Sequence, residues 1–324
     1  MSKPKSNNMK TVSVALTLCL VCSVLVSAAA VGLKPSQVEN ARLDRNKNIL
    51  VAAGMFDPAQ DTNADVAERF KDFKVEIVDL GAGNYLDDDA LVKVGIDDRN
   101  TYDASQATKN AALSEDLGAN DPASIGRVPK YAKVYVKNDD AGKPEMVVLP
   151  IQGYGLWGTI YGFLTLESDM NTIKGISFYE HKETPGLGAR IEEPKWRATW
   201  NGIHSYDENG EVATGVTKAG NPKENWIDGI SGATLTSRGV SNMIQFWLGE
   251  KGYKPYLDQQ RKESGITLES TDAVARQSLD SKSPYNKLGQ NPDITPTYSV
   301  TKLAAVVPAI NVTNATNATN GKEA

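Results

Sequence analysis

The sequence predicts an α+β protein: a twisted, mainly antiparallel sheet flanked by helices, with one N-terminal transmembrane helix. Three observations carry that expectation. Residues 11–33 contain no charged side chain, and at about 1.5 Å per residue they are long enough to cross a hydrocarbon core of about 30 Å. The middle of the chain holds short β-rich runs separated by turns rich in Gly and Asp. Near the end of the globular part, Val240, Met243, Ile244, Trp247 and Leu248 recur at the spacing of one helix face.

The chain of 324 residues has room for one sizeable domain with extensions, or for two small ones. Its net charge of −5 and the lack of a Lys/Arg cluster with interleaved aromatics argue against nucleic acid as a partner. Cys19 and Cys22 are the only cysteines and lie in the apolar run, so the globular part has no disulfide framework and no thiolate metal site. His181 and His204 lack the spacing of a local metal motif and read as ordinary loop residues.

At the N-terminus, Lys3, Lys5 and Lys10 precede the apolar run, and small residues at 27–30 resemble a signal-peptidase site. The run exceeds an ordinary signal core, which favours a retained anchor in membrane lipid over a cleaved leader. Lys34, Arg42, Arg45 and Lys47 follow the run, so charge asymmetry alone does not set the orientation. Neither cysteine has an acceptable lipobox before it.

Beyond the anchor, 36–53 reads as an amphipathic helix stopped by Gly54, 63–73 as a second helix and 74–80 as a strand. Asp87, Asp88 and Asp89 read as a solvated turn, since no EF-hand spacing follows. Residues 105–126 form a polar excursion with a short helix near 107–117. A hairpin follows, with strands at 131–136 and 145–149 and a turn at 139–142. Strands are expected at 158–166 and 175–179, then a tight loop at 183–188, a Trp196/Trp200 packing pair and a hairpin over 202–216. Residues 263–324 are polar, end in three Asn-x-Thr triplets and read as a mostly mobile tail.

The chemistry concentrates in Asp228-Gly-Ile-Ser231-Gly232-Ala233-Thr234-Leu235-Thr236-Ser237, which leads into the periodic helix. Unpaired N–H groups and the positive end of the macrodipole suit an anion there. The plainer reading makes Thr236 or Ser237 an N-cap and Asp228 a turn residue. Likewise Glu183, read from the residues alone, is a solvent-facing carboxylate, and the Gly/aromatic run containing Leu156 and Trp157 is a buried sheet corner.

The run Asp228-x-x-Ser231-Gly232-Ala233-Thr234 is similar to the flavinylation motif of bacterial proteins that carry FMN as a phosphoester on the last Thr. With the loop Glu183-Thr184-Pro-Gly-Leu187-Gly188 and the run Pro150-Ile-Gln-Gly-Tyr-Gly-Leu156-Trp157, residues 1–256 resemble the C subunits of membrane-bound Na⁺-translocating NADH:quinone reductases. The resemblance implies covalent FMN on Thr234 and a pocket drawn from Asp228, Ser231, Gly232, Ala233, Leu235, Thr236, Glu183, Thr184, Leu187, Gly188, Leu156 and Trp157. A Thr hydroxyl is a weak nucleophile, and the resemblance implies a flavin transferase that uses FAD and Mg²⁺ to load it.

The resemblance further implies an electron-carrying subunit of a complex that oxidises NADH, reduces ubiquinone and exports Na⁺. No Gly-x-Gly-x-x-Gly opens a βαβ unit, so NADH is expected to react on another subunit. The implied layout is a cytoplasmic 1–10, a transmembrane 11–33, a periplasmic FMN-binding domain at 34–262 and the tail at 263–324, in the bacterial inner membrane. The nearest rival is the G-type flavin subunit of the Rnf ferredoxin:NAD⁺ complex, which the long segment before Pro150 and the 190–196 continuation fit less well. A rival of another class is a flavin-free, membrane-tethered scaffold or binding protein.

Overall fold

The computed structural model describes residues 8–268 apart from 58, 59 and 222. Helix α1 (Asn8–Ala52) is continuous, so the expected separation into a spanning helix and a second amphipathic helix does not occur. Pro35 lies inside it, although proline removes one backbone donor and crowds the preceding turn. Every residue from 9 to 42 is exposed, whereas Ile49, Leu50, Ala52 and Ala53 are buried. Only the last turns therefore belong to the globular core; the apolar remainder has the length and composition of a membrane span. Gly54, at φ 68°, follows as the expected stop.

The central sheet has five antiparallel strands in the order β1-β4-β5-β6-β7. Its strands are β1 (Phe73–Asp79), β4 (Tyr131–Asn138), β5 (Pro144–Tyr154), β6 (Thr159–Glu167) and β7 (Ile173–Glu180). β4–β5 is the expected hairpin, turned by Asp139, whose Oδ1 accepts from the N–H groups of Ala141 and Lys143. The β5–β6 hairpin runs in register from Met146↔Glu167 to Tyr154↔Thr159, which puts residues 155–158 at one end of the sheet.

Both faces of the sheet are covered. On one, Tyr135, Met146, Val148 and Phe163 pack with Ile49, Leu50 and Phe56 at the end of α1. On the other, Leu149, Ile151, Leu164 and Ile176 pack with Val240, Met243, Ile244 and Trp247 of α6 (Thr234–Trp247). Each such side chain contributes about 1.5–3 kcal/mol on burial. The helical stripe read from sequence is thus the core face of α6.

Three local expectations change. The second helix, α2 (Asn63–Arg69), ends in a 3-10 turn at Phe70–Asp72 before β1. Asp87 is the N-cap of α3 (Asp88–Lys93), with its side chain accepting from Ala90 N, so the acidic triplet starts a helix instead of a solvated turn. In place of the short helix expected near 107–117, α4 (Ala104–Ala107) ends at 107, and β2 (Ser114–Asp116) pairs with β3 (Arg127–Pro129) in a two-stranded ribbon. Arg127 clamps that ribbon through Ser114 and Asp116, contacts that alternation in sequence does not announce.

Residues 202–216 make isolated bridges, Tyr206↔Val212 among them, instead of a regular hairpin. Trp196 lies in α5 (Pro194–Arg197) and meets Trp200 edge-on at 5.8 Å between centroids, as their spacing suggests. After α6, helix α7 (Lys254–Ser264) buries Tyr256, Leu257, Gln260 and Arg261, so ordered structure runs past the point where the sequence turns polar. The remainder of the expected tail, from 269 on, lies outside the described residues.

Candidate functional site

Three segments meet at one end of the sheet: the β5–β6 turn at 155–158, the loop at 181–188 that follows β7, and the start of α6. Glu183 joins them. The residue is 5% exposed, and its Oε1 accepts from the backbone N–H groups of Leu156 (2.9 Å) and Trp157 (3.0 Å). Oε2 accepts from Thr236 Oγ1 at 2.5 Å. The solvent-facing reading of Glu183 is therefore wrong: three donors repay the desolvation that would otherwise expel a carboxylate from the interior.

The surrounding residues are shaped to that carboxylate. A Cβ on Gly188 would lie 2.6 Å from both Glu183 Oε2 and Thr236 Oγ1, and one on Gly155 would lie 2.5 Å from Glu183 Oε1. The Glu183 N–H donates to His181 Nδ1 at 3.1 Å, which leaves the ring proton of a neutral His181 on Nε2. That nitrogen is 2.9 Å from Glu192 Oε1, without hydrogen-bond geometry.

Helix α6 begins at Thr234, earlier than the N-cap reading placed it. Its N-cap is Ala233, which supplies no side-chain hydrogen bond. Thr236 and Ser237 are both buried and otherwise engaged: Thr236 with Glu183, and Ser237 Oγ accepting from Ile230 N at 3.0 Å. The side chains that would normally satisfy a helix start are turned away from it, which leaves its first turn disposed toward an anion.

Thr234 itself is exposed, and so are Ser231, Gly232 and Thr184. Gly232 has φ 81°, a backbone state that favours glycine, and a Cβ there would sit 3.4 Å from Leu187 Cδ2. Large apolar side chains on the same three segments face solvent: Leu156, Trp157 (61% exposed), Leu187 and Leu235. Tyr154, at the end of β5, is exposed with them. The sheet-corner reading of Leu156 and Trp157 therefore fails, because their backbone is anchored and their side chains are not buried. Such exposed apolar groups beside one another mark a surface that binds something.

Ala233 and Asp228 are held by the protein itself. Ala233 is buried in the α6 core, which by itself requires a small residue. Asp228 Oδ1 accepts from Gly220 N at 2.8 Å, and its carbonyl accepts from Trp196 Nε1 at 3.0 Å, so it braces the approach to the motif. No spacing signals the close crossing at Gly239, where a Cβ would meet Tyr154 O at 2.4 Å. Among the described residues no group of His, Cys, Asp or Glu is arranged to hold a metal ion.

An exposed threonine at a helix start without a side-chain cap, framed by exposed apolar side chains, is the class of surface that suits an anionic ligand with an apolar body, on an α+β domain that follows one long apolar helix, and residues 155–249 match the FMN-binding domain family. Over 259 residues the chain is 43% identical to the C subunit of the Na(+)-translocating NADH-quinone reductase of Pseudomonas aeruginosa, covering 78% of this chain and 96% of that protein. The equivalent protein of Yersinia pestis is 40% identical over 268 residues, covering 80% and 96%. The chain belongs to the family of Na(+)-translocating NADH-quinone reductase C subunits. The crystal structure of Shewanella oneidensis NqrC matches with a TM-score of 0.59 at 32% identity, covering 69% of this chain and 99% of that one. Between the two complexes weighed from sequence, these similarities select the quinone reductase.

Proposed function

We propose that this chain carries FMN as a phosphoester on Thr234 and relays electrons as a subunit of a membrane NADH:quinone reductase that moves Na⁺. The observation that carries the reading is the position of Thr234: exposed, first in α6, and without a competing side-chain cap. Its hydroxyl is open to a flavin transferase working from FAD and Mg²⁺, and the helix start favours the phosphate once attached. Leu156, Trp157, Leu187 and Leu235 offer an apolar seat for a flat ring. Glu183 holds the backbones of those segments together and accepts hydrogen bonds from the protein alone, so its role is to position the seat. Thr184 and Gly188 shape the same loop, the former through its carbonyl, which accepts from the N–H groups of Leu187 and Ala189.

When bound, FMN supplies the redox chemistry, and the protein sets its place and its exposure to water. The single apolar span of α1 has no charge between 11 and 33, so ion movement belongs to partner subunits. We place the globular domain on the periplasmic side of a bacterial inner membrane, with α1 held by lipid. Intact mass and in-gel flavin fluorescence of denatured protein test the reading. Wild type co-expressed with a transferase gains one FMN phosphoester and Thr234→Ala does not; a bare wild-type chain purified from the assembled complex would refute it.

A further inference from the structure

A second recess lies where β4 and β5 part, and none of the residues around Thr234 lines it. The pairing of the two strands holds from Tyr135↔Val148 to Asn138↔Pro144. Farther along β5, Pro150 O accepts from Tyr253 Oη at 2.8 Å and Gln152 O from Trp247 Nε1 at 2.7 Å, so side chains replace the missing strand contacts. The opening is a cavity of about 230 Å³.

Its walls are aromatic. Tyr135 meets Phe163 edge-on at 6.2 Å between centroids, and Phe163 stacks on Tyr179 at 5.0 Å. Several of its polar groups are donors without acceptors. Tyr135 is 6% exposed, yet its hydroxyl has no hydrogen-bond partner among the described residues, and Tyr179 has none either. Lys133 is 9% exposed and uses one ammonium proton, on Asn100 O at 2.8 Å. Arg45, from α1, reaches the same cavity.

Neither Lys133 nor Arg45 forms an ion pair among the described residues. Burial, then the Arg45 charge, pushes Lys133 down to about 8. Of the two acidic residues on the lining, Asp103 Oδ1 already accepts from Ser105 N and Oγ, and Glu180 is exposed. Asp103 offsets part of the repulsion between the two cations, and an anion entering the cavity offsets more of it. The aromatic lining offers a flat body ring contacts, and an acceptor in the cavity meets donors that the protein leaves unused.

We propose that this cavity binds a small aromatic carboxylate, with the ring against the aromatic lining of Tyr135, Phe163 and Tyr179 and the carboxylate on Lys133 and Arg45. The site is independent of Thr234. Calorimetric titration of the full chain in detergent, with benzoate and 4-hydroxybenzoate as probes, tests it. One equivalent should bind, and Thr234→Ala should leave that binding unchanged. Arg45→Gln, at an exposed position, and Lys133→Met should each weaken it by roughly tenfold or more, as expected for loss of a charge-assisted hydrogen bond. Benzamide and cyclohexanecarboxylate, which lack the charge and the ring respectively, should bind far less well. The proposal fails if neither aromatic probe saturates by roughly 10 mM, if Arg45→Gln binds benzoate like wild type, or if benzamide or cyclohexanecarboxylate equals benzoate.

Discussion

Thr236 Oγ1 donates to Glu183 Oε2 at 2.5 Å across 53 positions of sequence. That bond ties the first turn of α6 to the loop after β7, and the other oxygen of the same carboxylate ties in the β5–β6 turn. The end of the sheet that presents Thr234 is therefore held by one side chain that does not itself face outward.

Glu183→Ala leaves three donors without an acceptor, and each buried orphan costs about 1–3 kcal/mol. Partial rehydration of the outer two brings the expected loss to about 2–4 kcal/mol. Glu183→Gln keeps an acceptor for Leu156 and Trp157 and should lose only about 1 kcal/mol. Urea denaturation midpoints read the difference. Equal stability of Glu183→Ala and wild type would mean the carboxylate holds nothing.

Two glycines in the same loop should respond for different reasons. Gly188→Ala forces a methyl into Glu183 and Thr236, and such overpacking costs about 1–3 kcal/mol. Gly186 has φ 74° with nothing near a would-be Cβ, so Gly186→Ala should lose about 1 kcal/mol through the backbone alone. Flavin content per chain should drop more at 188, since only that change separates the loop from α6.

Thr234→Ala is expected to change stability by less than about 0.5 kcal/mol, because the side chain is exposed and caps nothing. Thermal unfolding of the flavin-free proteins measures this. A large loss would show that Thr234 is part of the framework instead of a free attachment point.

Alkaline pH should destabilise the domain. Burial raises Tyr135 to about 12, from 10.0 in the free side chain. The folded state then holds a proton that the unfolded state releases, so this contribution is complete below about pH 10 and disappears as pH rises toward 12. Each pKa unit corresponds to about 1.4 kcal/mol, which makes the loss on the order of 3 kcal/mol across that window. Tyr135→Phe should flatten the fall measured by denaturation at pH 9, 10 and 11; an unchanged slope would place its source elsewhere, for instance at Tyr85, which desolvation also raises to about 12.

Much of this protein is determined locally. The charge-free stretch at 11–33 has one stable solution in a membrane, the 139–142 turn joins its two strands, and the stripe from Val240 to Leu248 can only face a core. The motif ending at Thr234 is likewise visible as a string of small and hydroxyl residues. What the chain alone did not decide is which polar groups are buried. Glu183 reads as a surface carboxylate and Thr236 as a cap until strands β5, β6 and β7 bring their loops to the same end of the sheet. Hydrogen bonds of that kind join residues far apart in sequence, and no periodicity records them. The parting of β4 from β5, with Tyr253 and Trp247 filling the gap, belongs to the same category. Spacing fixes which face a residue takes, and only the assembled layers fix what it meets there.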